Sequence, residues 1–127
     1  MRVLVVDDSP DVRLLCQVTL ERAGWSVTGA TDGLEAAKAV DEDTPDVVVL
    51  DLMMPDYDGL FFLGRLRERS AERPELPAPP VLVLSAKSGS DDQATAFEAG
   101  ASAYLTKPFA IDDLTRAVAE LAGVGPG

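Results

Sequence analysis

Histidine is absent from all 127 residues. No imidazole can therefore serve as metal ligand, general base or phosphoryl carrier, and any phosphoryl group handled here must come from another molecule. Cysteine occurs once, at Cys16, which excludes an internal disulfide and fits a reducing cytoplasm. No apolar run approaches the roughly 20 residues of a membrane helix, so no membrane association is expected. The N-terminus enters a β-rich run at once, without the basic region and cleavage site of a secretory leader, so none is expected either. Basic residues are scarce: 11 Lys and Arg against 22 Asp and Glu leave a formal net charge of -11. Nucleic-acid phosphates repel such a chain, so this segment is not expected to bind DNA or RNA directly.

What the chain does have is a set of short apolar runs, each ending in a chemically useful group. VLVV leads into Asp7 and Asp8, VVVL into Asp51, VLVL into Ser85, and AYLT into Lys107-Pro108. With 127 residues, 46% of them hydrophobic, the length suits one domain with a substantial core. β-rich runs alternate with amphipathic stretches, the pattern of βα units and a parallel sheet. Strands are expected at residues 2–6, 25–30, 46–50, 81–84 and 101–105.

Punctuation places the helices between them. Ser9 reads as an N-cap with Pro10 at the first helical position, and Gly24 as a left-handed closure. Val12, Leu15, Cys16, Thr19, Leu20 and Ala23 share one face of that helix, which makes Cys16 a packing residue. A second helix follows Gly33, and a third starts near Leu60 with Phe62, Leu63 and Leu66 toward the sheet. Residues 70–80 hold four prolines and read as a stiff loop within one domain. Further helices are expected at 91–99, closed by Gly100, and at 111–121 with Ile111, Leu114, Val118 and Leu121 in line. Arg65, Arg67, Arg69 and Arg73 read as a solvated helix end, and Asp56 and Asp58 as shaping the turn before Gly59. The fold class is α/β: a single doubly wound, flavodoxin-like sheet of five parallel strands in order 2-1-3-4-5 with five helices. The domain is expected over 1–122, with a flexible tail at 123–127.

Parallel strands bring their C-terminal ends to one edge, where open α/β sheets bind ligands. Gathering Asp7, Asp8 and Asp51 there is costly, since two like charges about 4 Å apart repel by roughly 4 kcal/mol at an effective dielectric near 20. Lys107 offsets part of that repulsion. The remainder calls for a hard divalent cation, and an oxygen-only donor set points to Mg2+ or Mn2+. A carboxylate can attack phosphorus to form an aspartyl-phosphate. Asp51, alone at the end of its strand, is the candidate nucleophile, with Lys107 and the Ser85 hydroxyl placed to meet phosphoryl oxygens.

In VVDDSP, LDLMMPDYDG, LSA and LTKPF, taken in this order, the chain resembles the receiver domain of two-component response regulators, over residues 1–121. The resemblance implies that Asp51 is the phosphoacceptor, and that Asp8, Asp51 and the Met53 backbone carbonyl ligate Mg2+ directly. It implies that Asp7 acts mainly through a metal-bound water. Lys107 would pair with the phosphoryl group, and the Lys107-Pro108 bond would be cis. Ser85 and Tyr104 would be the switch pair. Met53 and Lys87 would flank the phosphoryl group and tune its lifetime; an apolar Met53 offers nothing to position an attacking water, so a phosphorylated state of moderate to long life is expected.

Implied partners are a sensor histidine kinase or phosphotransfer protein upstream, and a downstream protein target or a fused output domain. The face built from the fourth helix, fifth strand and fifth helix would carry the signal, in a monomer or in a weak dimer formed on phosphorylation. Such a protein is a signalling receiver that catalyses only its own phosphorylation and dephosphorylation. Two other readings stay open at this point. One is a Mg2+-dependent phosphohydrolase acting through an aspartyl-phosphate, although Met53 stands where such enzymes carry a second acid and nothing is long enough to form a substrate cap. The other is a receiver-like scaffold that is never phosphorylated.

Overall fold

The computed structural model of the protein describes residues 1–87 and 89–123, so all of the expected tail beyond Gly123 lies outside the described residues. The elements run β1 Arg2–Val6, α1 Pro10–Arg22, β2 Ser26–Ala30, α2 Gly33–Glu42, β3 Val47–Asp51, α3 Gly59–Glu72, β4 Val81–Ser85, α4 Ser90–Ala99, β5 Ala103–Thr106 and α5 Ile111–Ala122. The strands form one parallel sheet in order β2-β1-β3-β4-β5. That is the expected doubly wound fold.

Alternation along the strands divides the core in two. Leu4, Val6, Val48, Leu50 and Val83 face the α2, α3 and α4 side, where Val40, Phe62, Leu63 and Ala96 meet them. Val3, Val5, Val49, Leu82 and Leu84 face the opposite side, packing on Cys16 and Leu20 of α1 and Leu114 and Val118 of α5. β3 and β4 are buried at every position, so neither face of the central sheet sees water. Among the described residues no helix is long and apolar enough to cross a membrane.

Helix starts follow the local chemistry. Ser9, Asp32 and Asp58 cap α1, α2 and α3 by accepting from the backbone N–H of Val12, Glu35 and Phe61. Gly24 (φ 94°) and Gly100 (φ 119°) take the positive φ expected of helix closures.

Several boundaries and faces differ from expectation. α3 continues through residues 70–72, because the prolines begin only at Pro74 and restrict Arg73 rather than the turn before it. β2 starts at Ser26, since the Trp25 N–H is taken by the Leu20 carbonyl. β3 and β4 each run one residue further, through Asp51 and Ser85. β5 begins at Ala103, because the N–H groups of Ala101 and Ser102 bond to the Ala96 and Val81 carbonyls. On α1 the buried stripe is narrow, so Leu15 (43% exposed) and Ala23 lie outside it. Ile111 is the first residue of α5, where its side chain leans back past the helix end, and it too is exposed.

Arg69 is the larger correction. It is not solvated: its side chain is 11% exposed and lies near the Asp41 carboxylate at 3.4 Å. It donates to the Pro77 carbonyl at 2.9 Å and to the Thr44 hydroxyl at 2.7 Å. The proline-rich segment folds back over the last turn of α3, and this guanidinium ties it to the end of α2. Arg69→Ala is expected to lower stability by about 1–2 kcal/mol, read as a lower urea midpoint at unchanged m-value.

Candidate phosphoacceptor and cation site

Parallel pairing sets the site. Val6 pairs with Leu50, Asp51 with Leu84, and Ser85 with Thr106. The residues that follow or end these strands therefore meet at one edge. Carboxylate oxygens of Asp7, Asp8 and Asp51 lie within 4.8 Å of one another. Asp7 (2% exposed) and Asp51 (5%) are buried, whereas Asp8 is exposed.

Lys107 enters from the far side of β4. Its Nζ lies 2.9 Å from Asp7 Oδ2 and 3.7 Å from Asp51 Oδ2. The Lys107-Pro108 peptide is cis, and the Lys107 N–H donates to the Ser85 carbonyl at 2.8 Å. Asp7 is held on both sides: its N–H donates to the Ala30 carbonyl, and its Oδ1 accepts from the Ser9 N–H at 2.9 Å. Asp51 Oδ1 accepts from the Met53 N–H at 3.2 Å.

Burial raises the Asp51 pKa, and the charges of Asp7 and Asp8 raise it further, against the lowering effects of the Met53 N–H and Lys107. Burial alone would lower that of Lys107, but the hydrogen bond to Asp7 and the charges of Asp51 and Asp7 outweigh it and the pKa rises. Both shifts are in the direction that limits net charge in the cleft.

The donor set suits a hard cation. It is oxygen only, and the one thiol of the chain, Cys16, is fully buried with its pKa pushed up to about 11, mainly by burial. Two buried acids and one exposed acid, with one half-buried ammonium among them, leave negative charge that a divalent ion would neutralise.

Ser85 is fully buried at the end of β4, and its Oγ accepts from the Lys87 N–H at 3.1 Å. Tyr104 is half-buried on β5, and its hydroxyl donates to the Lys87 carbonyl at 2.7 Å. The Lys87 peptide groups thus connect these two side chains, while the Lys87 side chain is exposed. The Met53 side chain is 57% exposed. Asp7, Asp8, Asp51, Met53, Ser85, Lys87, Tyr104 and Lys107 all lie at this edge or bond to a residue that does.

The family model for the response regulator receiver domain matches residues 3–119. The chain belongs to this family. The receiver domain is 42% identical over 124 residues to the transcriptional regulatory protein TrcR of Mycobacterium tuberculosis, covering 98% of this chain and 45% of TrcR. It is 40% identical over 108 residues to the alkaline phosphatase synthesis transcriptional regulatory protein PhoP of Bacillus subtilis, covering 85% of this chain and 42% of PhoP. The chain thus spans less than half the length of these relatives. The Francisella response regulator 1452 receiver domain superposes with a TM-score of 0.86 at 34% identity, covering 96% of each chain. The Vibrio cholerae chemotaxis protein CheY4 superposes with a TM-score of 0.82 at 29% identity, covering 94% of this chain and 97% of CheY4.

Two features of the receiver domain escaped the sequence reading. Arg13 donates from Nη1 to the Asp7 carbonyl at 2.8 Å, six residues along the chain. Its one signal was a cation set shortly after an acid pair. Gly59 lies against the backbone of Asp51 and Leu52, and a Cβ there would come 2.7 Å from the Asp51 carbonyl oxygen. Nothing local marks that contact.

Proposed function

We propose that this receiver domain is a phosphorylation-operated signalling switch with Asp51 as its acceptor. The convergence of three carboxylates and Lys107 carries the reading. A phosphohistidine on a sensor histidine kinase or phosphotransfer protein is the donor. An Asp51 carboxylate oxygen forms a bond to phosphorus as the P–N bond breaks, and the departing imidazole takes a proton from solvent. Asp7, Asp8, Asp51 and the Met53 carbonyl are the groups that would hold Mg2+ or Mn2+, which supplies positive charge against the phosphoryl oxygens. Lys107 orients those oxygens from the Asp7 side, and the Ser85 hydroxyl donates to one of them.

When Ser85 Oγ turns to the phosphoryl group, the Lys87 N–H loses its acceptor, and the loop that also holds the Tyr104 hydroxyl is released. The face formed by α4, β5 and α5 then changes. The phosphoryl group biases an existing equilibrium, and full reversal from 1:99 to 99:1 takes about 5.5 kcal/mol. The reader of that face is a downstream protein or a fused output domain. Transcriptional control belongs to such an output domain rather than to this acidic segment. The setting is the cytoplasm, with the domain monomeric or weakly dimeric once phosphorylated.

The test is intact mass after incubation with acetyl phosphate and Mg2+, comparing the parent with Asp51→Asn. One added phosphoryl group in the parent alone is expected, decaying slowly once the donor is removed because Met53 positions no water. An unmodified parent, or an equal gain in Asp51→Asn, would sink the proposal.

A further inference from the structure

We propose that Arg13 is a positioning residue for the cation site, acting through the peptide that joins Asp7 to Asp8. The inference rests on the Mg2+ reading above. Arg13 stands on the first turns of α1, and among the described residues it forms no ion pair. Its Nη1 instead donates to the Asp7 carbonyl at 2.8 Å. The peptide N–H on the other side of Asp7 is held by the Ala30 carbonyl at 3.1 Å. Both peptide planes flanking Asp7 are therefore anchored, one to β2 and one to α1.

The consequence falls on Asp8. Among the described residues no donor holds its carboxylate, and the side chain is exposed. Its aim into the cluster therefore depends on the orientation of the Asp7–Asp8 peptide, which Arg13 holds. Asp7 needs no such help, since Ser9 and Lys107 already hold its two oxygens. A guanidinium suits the task, being planar, permanently charged and slow to lose its hydrogen bonds. The Arg13 stem crosses β2 at Gly29, its Cδ 3.7 Å from where a Cβ would stand, an ordinary contact distance.

Charge and position predict opposite signs. A cation beside the site repels Mg2+, so if Arg13 acted by charge alone, Arg13→Ala would bind Mg2+ more tightly. If it orients Asp8, the same change weakens binding by about tenfold, the low end for partners that orient metal ligands. Arg13→Lys keeps the charge and a donor of similar reach, though not the planar fork. It should recover part of the binding that Arg13→Ala loses, which a general loss of packing would not.

The experiment is titration calorimetry with Mg2+ alone, without any phosphodonor, on parent, Arg13→Ala and Arg13→Lys. Each is measured well below its melting transition, with circular dichroism confirming the fold. Weaker binding in Arg13→Ala, partly recovered in Arg13→Lys, at parent-like circular dichroism is the expected result. Undiminished binding in Arg13→Ala, or no recovery in Arg13→Lys, overturns the role of Arg13. A parent that binds no Mg2+ overturns the cation reading itself, which keeps the two failures distinct.

Discussion

Lys107→Met is expected to destabilise the metal-free domain by about 2–3 kcal/mol at neutral pH, a fall of roughly 10 °C in melting temperature. The reason is what it leaves behind. Asp7 and Asp51 are 2% and 5% exposed, and Lys107 is the cation that bonds both. Removing one partner from a buried ionic group costs more than the pair contributes, because the remaining charges are desolvated and repel each other. The ammonium is 21% exposed, which holds the cost below that of a fully buried pair.

The pH dependence has a definite sign. The folded Asp51 pKa lies above its ordinary value of 3.8. Its protonated form is therefore favoured by folding, a contribution complete below the ordinary value and lost as pH rises through the folded one. At neutral pH ionised Asp51 weighs against the fold. The penalty in Lys107→Met should thus shrink on acidification as Asp51 takes up its proton. For Lys107, whose folded pKa is above 10.5, the stabilisation is complete below that value and is lost as pH climbs through the folded pKa. The two melting curves should therefore also converge in strong alkali.

Saturating Mg2+ should restore most of the loss at neutral pH. Asp51→Asn is the opposing arm: it removes the charge but keeps an acceptor for the Met53 N–H, and it should raise metal-free stability by about 1–2 kcal/mol. Thermal melts across pH, with and without Mg2+, check the set. A Lys107→Met deficit that is constant with pH and indifferent to Mg2+ would refute the electrostatic account.

Much of this site was legible because parallel strands make linear order spatial. Asp7, Asp51, Ser85 and Lys107 each follow or end an apolar run, and parallel pairing sends every such end to the same edge. Which of Asp7 and Asp8 is buried was not legible. Neighbouring residues leaving a strand point to opposite sides, and which one turns inward depends on register against β2 and β3, not on either residue. Arg69 misled for a related reason: an arginine late in a helix normally faces water, and only the return path of the proline-rich segment covers it. The helices themselves were readable from their caps. The starts of β2 and β5 shifted where a backbone N–H found a partner outside the sheet register, as at Trp25 and Ser102.

Gly59→Ala is expected to cost about 2–4 kcal/mol and to slow phosphorylation of Asp51, although it adds one methyl group at the start of a helix. The added Cβ would stand 2.7 Å from the Asp51 carbonyl oxygen and 2.8 Å from Leu52 Cα. Both are backbone atoms in or next to the central strand β3, so neither can rotate away as a side-chain tip would. The Gly59 N–H also donates to the Leu52 carbonyl at 3.2 Å, which draws the start of α3 onto this segment. Relief requires α3 to retreat or the 51–53 backbone to move, and that backbone carries the Asp51 carboxylate and the Met53 N–H that holds it. A matched control lies one turn and a half along the same helix. Nothing stands within 4 Å of a Cβ at Gly64, and its backbone is helical, so Gly64→Ala should stabilise by about 0.5–1 kcal/mol. One substitution type on one helix is thus expected to act with opposite signs. Urea denaturation reads the stability, and intact mass against time with acetyl phosphate reads the rate. If Gly59→Ala matched Gly64→Ala in both measurements, the close approach of α3 to the acceptor strand would have no energetic meaning.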